Sequence, residues 1–211
     1  METANEPAAG AGRMRIVGGN LALDFVNTRT GPPSGPPDDD LFAGYDDVVA
    51  WGRHVGSLTD PEARRLRRAA QEDRAGSRKV FGRAIRLRDD LDAVFRAVAV
   101  DRRPPAQAVG ALRTAEAKAL VRAELVADDG AFAWSWASDR SLERPLGPVI
   151  HAAIELLTGG PLDRVKACGG CSFLFLDESK NRSRRWCSME DCGTSEKIRR
   201  ILERRAGRRL A

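Results

Sequence analysis

Four cysteines, Cys168, Cys171, Cys187 and Cys192, are the residues of this 211-residue chain best suited to chemistry. All four fall in one stretch, CGGCSFLFLDESKNRSRRWCSMEDC. Their spacing is C-x2-C, fifteen residues, then C-x4-C. Two cysteine pairs at that separation suit a tetrahedral zinc site, each thiolate at about 2.3 Å from the metal. Four sulfur ligands close the coordination sphere and leave no position for water or substrate. One structural Zn2+ is therefore expected, not a catalytic one. The alternative is two disulfides, which call for an oxidising compartment, and nothing else in the chain supports one.

The same region carries the chain's charge asymmetry. From Glu178 to the end, eleven Lys or Arg face five Asp or Glu; the preceding residues hold 24 basic against 25 acidic groups. The net charge of +5 thus comes from the C-terminal part, the footprint of a module that meets a polyanion. A solubilising basic tail is the plainer reading of the same count. Hydrophobic content of 42% is enough to bury a core. The first residues do not resemble a signal peptide and no apolar run approaches the roughly 18 residues of a membrane span. A cytoplasmic protein without a membrane partner is expected.

The elements that must position the cysteines read as mainly α with a small β component. Residues 14–160 form a helix-rich domain with one β-hairpin, and 161–211 a smaller second module. Ile16 and Val17 fit a short strand ended by Gly18-Gly19. Asn20 then caps a helix over Leu21–Thr28, although a strand with Leu21, Leu23 and Phe25 on one side fits almost as well. GPPSGPPDDD at 31–40 interrupts either element. A short helix follows from Asp46 or Asp47, and Thr59-Asp60-Pro61-Glu62 starts a charged one. The strongest periodicity is Val80, Ala84, Leu87, Leu91, Val94, Phe95 and Val98, one apolar stripe on a helix from about Ser77 to Val100. Another helix runs from Pro105 to about Leu120. ELVADDGAFAWSW has an Asp-Gly turn between alternating runs, a hairpin signal. Leu146–Thr158 is again amphipathic, and Gly159-Gly160-Pro161 stops it.

In the second module, Val165–Leu176 reads as strand, knuckle and strand, with two glycines giving the tight turn between the first cysteines. Arg184-Arg185-Trp186 would return as a strand into Cys187. The second cysteine pair would sit at the N-terminus of a helix over Glu196–Arg205, where exposed N–H groups stabilise thiolates. The order is treble-clef-like. On that helix Ile198, Ile201 and Leu202 would cover the small core. Lys197, Arg200 and Arg204 form a basic ridge on another side, which Arg182, Arg184 and Arg185 of the hairpin extend. Such a surface suits double-stranded DNA, with a helix able to enter the major groove. Solvated arginines completing a helix dipole are the competing explanation.

The Cys168–Cys192 run resembles the CGNR zinc-finger family. Shared with its pattern are Phe175, Asp177, Ser179, Asn181, Ser183, Arg184, Arg185, Trp186, Cys187, Ser188 and Met189, then Cys192-Gly193. Gly18-Gly19-Asn20-Leu21-Ala22-Leu23-Asp24-Phe25-Val26-Asn27-Thr28 resembles the ABATE-type domain that accompanies this finger. The resemblance implies a bacterial transcription regulator whose finger contacts DNA. Where the family has Asn-Arg after Cys-Gly, this chain has Thr194-Ser195. Thr194 can still cap the helix, but any contact of the missing Arg cannot be carried over.

An enzyme has little to build on here. The chain has two histidines, His54 and His151, and one tyrosine, Tyr45, and the metal takes every cysteine. Asp24 and Asn27 could hold a small ligand, but bracing neighbouring segments is the better-supported role. A small-molecule effector between the long helices and a homodimer both suit a regulator, although no residue pattern marks either. The expectation is a non-enzymatic regulator; the alternative is a zinc-stabilised protein–protein module without nucleic acid.

Overall fold

The structure, a computed structural model, describes residues 10–207, with side chains to Glu203. The helices are α1 (Leu21–Val26), α2 (Tyr45–His54), α3 (Asp60–Glu72), α4 (Arg74–Ala99), α5 (Ala106–Leu120), α6 (Gly147–Gly159) and α7 (Thr194–Gly207). Three antiparallel strand pairs accompany them: β1 (Arg29–Thr30) with β2 (Asp39–Asp40), β3 (Glu124–Asp128) with β4 (Ala131–Ser135), and β5 (Val165–Ala167) with β6 (Leu174–Leu176). The mainly α class with a small β component is thus observed. Among the described residues no helix is long and apolar enough to cross a membrane.

Capping side chains explain most of the helix starts. The Asn20 carboxamide accepts from the Ala22 N–H at 2.9 Å, so α1 is a helix and not a strand. Thr59 and Glu62 satisfy each other's backbone N–H groups at the start of α3. Helix α4 begins three residues before the expected Ser77, because the Asp73 carboxylate caps the Gly76 N–H at 2.7 Å. Ile16 and Val17 form no strand. The N–H groups of Val17 and Gly18 instead bond to the Asp24 carboxylate at 3.1 and 2.7 Å. Asp129 and Gly130 both have positive φ, 40° and 86°, the backbone that a two-residue turn between β3 and β4 requires.

Helix α4 is the spine. Its stripe from Val80 to Phe95 is buried as the periodicity demands, packed on α1, α2 and α5, while α6 closes on α1 and α5. Phe25, Phe42 and Trp51 interlock with ring centroids 5.0 to 6.4 Å apart. Arg88, also on α4, is only 1% exposed. Its guanidinium bonds to the Asp40 carboxylate (Oδ1 at 2.7 Å) and to Thr28 Oγ1 at 3.0 Å, and lies 5.4 Å over the Phe42 ring. Burial raises the Asp40 carboxyl, but hydrogen bonds and charge from Arg88 outweigh it and hold the group below its ordinary value.

Arg88→Met keeps most of the volume but strands a half-exposed carboxylate. It should cost about 1–2 kcal/mol, less than the loss of a fully buried pair. The folded carboxyl value is depressed. The pair's contribution is therefore fully present above the unfolded value of about 3.9 and is lost as pH falls through the lower folded value. Urea melts at pH 7 and pH 3 check both parts: wild type and variant should differ at pH 7 and converge in acid.

Candidate metal centre and nucleic-acid interface

The finger is seated on the N-terminal segment through a period-two set of hydrogen bonds. Ser172 N–H donates to the Gly31 carbonyl at 2.9 Å, Leu174 N–H to Asn27 Oδ1 at 2.8 Å, and Leu176 N–H to the Gly18 carbonyl at 2.8 Å. Asn27 Nδ2 returns a bond to the Leu174 carbonyl at 2.8 Å. Alternate residues of an extended chain point their N–H groups one way, and here the segment from Gly18 to Gly31 receives them as a third strand would. Val165 and Leu174 join the core of the helical part, and Arg96 of α4 donates to the Ser172 carbonyl at 2.6 Å. One apolar core therefore runs across the junction at residue 160.

Beyond that seat, Cys168, Phe175 and Cys187 make a second small core with Val17, Cys171, Phe173, Trp186 and Cys192 around it. The four ligand sulfurs all lie within 4.8 Å of one another, and none is disulfide-bonded. Cys171 and Cys187 are 3.6 Å apart at sulfur, Cys187 and Cys192 3.7 Å. Four thiolates at about 2.3 Å from one tetrahedral ion would be about 3.8 Å apart. The donor set fits zinc in both chemistry and spacing. The Cys168 sulfur accepts from the Gly170 N–H at 3.4 Å and the Cys187 N–H at 3.3 Å, contacts that suit a thiolate.

The two knuckle glycines are required by close approach. A Cβ on Gly169 would lie 2.7 Å from the Trp186 ring, and one on Gly170 3.0 Å from Cys192 Cβ. Cys187 precedes, and Cys192 lies within, a wide helical turn, Met189–Gly193, which Ser188 caps by accepting from the Asp191 N–H at 3.2 Å. Thr194 is not the cap expected of it. It has helical backbone angles, and its hydroxyl donates back to the Met189 carbonyl at 3.1 Å. Ser188 has already taken the capping role one turn earlier.

Asp177 organises the rest of the finger, a role that the sequence reading missed. Its side chain has no solvent-accessible surface. One oxygen accepts from Ser179 N–H and Oγ, the other from Lys166 Nζ at 2.6 Å and the Arg184 N–H at 2.9 Å. Burial acts to raise this carboxyl, but Lys166, Ser179 and Arg184 together push it far below the usual carboxylate range. The Asp-x-Ser spacing, a local turn former, is the signal that could have marked it. The expected return strand at Arg184–Trp186 is absent because Arg184 bonds to side chains and to its own loop. Its guanidinium binds the Trp186 and Cys187 carbonyls and lies 4.6 Å over the Phe175 ring.

The residues proposed to meet nucleic acid are thus unequally available. Arg184 is engaged inside the finger, and Arg182, at φ 51°, pairs with Asp163. Arg185 lies 5.3 Å over the Trp186 ring. On α7, Lys197 is exposed with no ion-pair partner among the described residues, whereas Arg200 bonds to Glu196 at 2.7 Å. The Arg204 side chain lies outside the described residues. Ile198, Ile201 and Leu202 do not cover the small core: they are 52%, 39% and 57% exposed. Trp186, seated against Gly169 and Gly193, already closes that core. Asp24 and Asn27 are both buried and both brace, Asp24 holding the strand-like entry at Gly18 and Asn27 holding the finger. Burial raises the Asp24 carboxyl against its hydrogen bonds from Gly18 and Val17.

Residues 19–160 match the ABATE family, described as "putative stress-induced transcription regulator". The chain belongs to the ABATE family. Residues 164–205 of this ABATE protein match the CGNR zinc finger. No curated protein matches the chain. The two matches are three residues apart in sequence, and in space Asn27 and Gly31 of the first hold Leu174 and Ser172 of the second. Cys168, Cys171, Cys187 and Cys192 hold one structural zinc.

Proposed function

We propose that this ABATE protein is a cytoplasmic transcription regulator that binds duplex DNA through its zinc-held C-terminal part. The helical domain would sense a small effector, and no enzymatic step is assigned. The observation that carries the reading is α7: it leaves the zinc turn exposed and sets Lys197 and Arg200 around a pocket against Trp186, the ring over which Arg185 lies. The charge surplus of the chain lies in the same region. On DNA, Arg200 would exchange Glu196 for a phosphate, a trade between two exposed pairs at small net cost. His54 bonds to the Met14 carbonyl and His151 to Glu116 at 2.7 Å, and no step is assigned to either.

A second reading has one specific observation in its favour. The exposed Ile198, Ile201 and Leu202 suit a protein partner, with a homodimer its simplest form. Filter binding to duplex DNA across a salt series separates the two. Three phosphates met by Arg185, Lys197 and Arg200 predict a slope of log affinity on log salt of roughly −3. Lys197→Glu should weaken binding across all sequences and flatten that slope by about one or more. No binding at low salt would remove the DNA reading and leave the protein module.

A further inference from the structure

A cleft of about 400 Å3 lies between α4, α5 and the start of α6, remote from the zinc. That size lies within the roughly 300–1,000 Å3 of small-molecule sites. Its lining is apolar where it is deep: Leu87, Ala115, Leu146 and Ile150, with the Trp136 indole as one wall. Trp136 is locked in place. Its N–H donates to the Ala119 carbonyl at 3.3 Å, and a Cβ on Gly147 would lie 2.5 Å from Nε1, so ring and backbone are in direct contact. An aromatic wall that cannot rotate away is a preformed surface for a planar ligand.

The rim is charged and leans positive, with four cations, Arg83, Arg86, Lys118 and Arg122, against Asp90, Asp139 and Glu143. Glu143 bridges Arg83 and Arg122, so those two already have an ion-pair partner. Asp139 accepts from the Ser141 N–H at 2.8 Å. Arg86 on α4 and Lys118 on α5 are exposed, with no ion-pair partner among the described residues. Inorganic phosphate would satisfy these two cations but leave the apolar floor uncovered. A neutral apolar molecule would cover the floor and leave the cations unused.

We propose that this cleft binds a small aromatic carboxylate, its ring against Trp136 and the Leu146–Ile150 floor and its carboxylate on Arg86 and Lys118. The biological role of this site rests on the effector reading above; its chemistry does not. Helix α4 supplies the physical link, because it carries Arg86 at the cleft and Arg96 on the Ser172 carbonyl of the finger.

Titration calorimetry on the zinc-loaded full chain tests it, with benzoate, 1-naphthoate and indole-3-acetate and their neutral amides as probes at up to low millimolar concentration. At least one acid should bind, and its amide should bind roughly tenfold more weakly, the effect of one charge-assisted hydrogen bond. The Arg86→Ala/Lys118→Ala double variant should lose at least as much affinity while melting at the wild-type temperature, since both side chains are exposed. Gly147→Ala, which displaces Trp136, should weaken acid and amide alike. No acid bound, amides bound as tightly as acids, or a double variant with unchanged affinity would each overturn the proposal. Acid binding that leaves DNA affinity unaltered would support the site and remove only its effector role.

Discussion

Cys187→Ser should release the zinc and unfold the finger, and the damage should reach the helical core. Structural zinc contributes on the order of 10 kcal/mol to a small module. The Cys187 sulfur lies 3.6 Å from Cys171 and 3.7 Å from Cys192, so a single replacement disrupts the whole thiolate cluster. Without the ion, β6 loses the anchor on one side while the N-terminal segment still grips it on the other. Val165 and Leu174 belong to the main core, so the loss should also lower the melting temperature of the helical part. Native mass spectrometry should show one zinc on the wild type and none on the variant. Hydrogen exchange should accelerate first across 165–193, then in α1, and least in α5. A variant that keeps both zinc and protection contradicts the four-ligand site.

Asn27→Ala should be the most damaging substitution of a side chain that touches no metal. Asn27 and Leu174 are 1% and 0% exposed, and the carboxamide both donates to and accepts from the same residue of β6. Truncation leaves a buried N–H and a buried C=O without partners, each costing about 1–3 kcal/mol, so a total near 3 kcal/mol is expected. Asn27→Asp should fare no better, because it keeps the acceptor but sets a charge against the Leu174 carbonyl. Asn20→Ala, in the same segment, removes an N-cap and a longer, part-buried bond to the Ala152 carbonyl at 3.3 Å, and should cost about 1–2 kcal/mol. Chemical denaturation ranks the three, and exchange at the Leu174 amide reports whether the clasp itself has opened. Equal effects of Asn20→Ala and Asn27→Ala would mean that the clasp has no special role.

What the sequence made legible were local regularities. The stripe on α4, the Asp129-Gly130 turn, the Thr59–Glu62 cap and the four-cysteine spacing each recur or close over short stretches of chain, the longest being the 25 residues from Cys168 to Cys192, and each is present in the structure. The seating of the finger was not legible, because its hydrogen bonds join residues more than 140 positions apart in the chain. Arg88 reads as a surface residue until Asp40, 48 residues away, is placed beside it. Arg184 counted as a DNA contact by charge alone, whereas the shape of the loop turns it onto Phe175 and the carbonyls of its own chain. Ile198, Ile201 and Leu202 followed a helical period correctly, but periodicity names a face without naming what covers it.

The zinc-held part of this ABATE protein is proposed to read DNA. Recovery of genomic fragments on the immobilised zinc-loaded chain, followed by sequencing, tests it most directly. A set of enriched fragments is expected, recovered in lower yield with Lys197→Glu and lost after removal of zinc. Fragments recovered at genome-average frequency, or an enriched set indifferent to both changes, would contradict it.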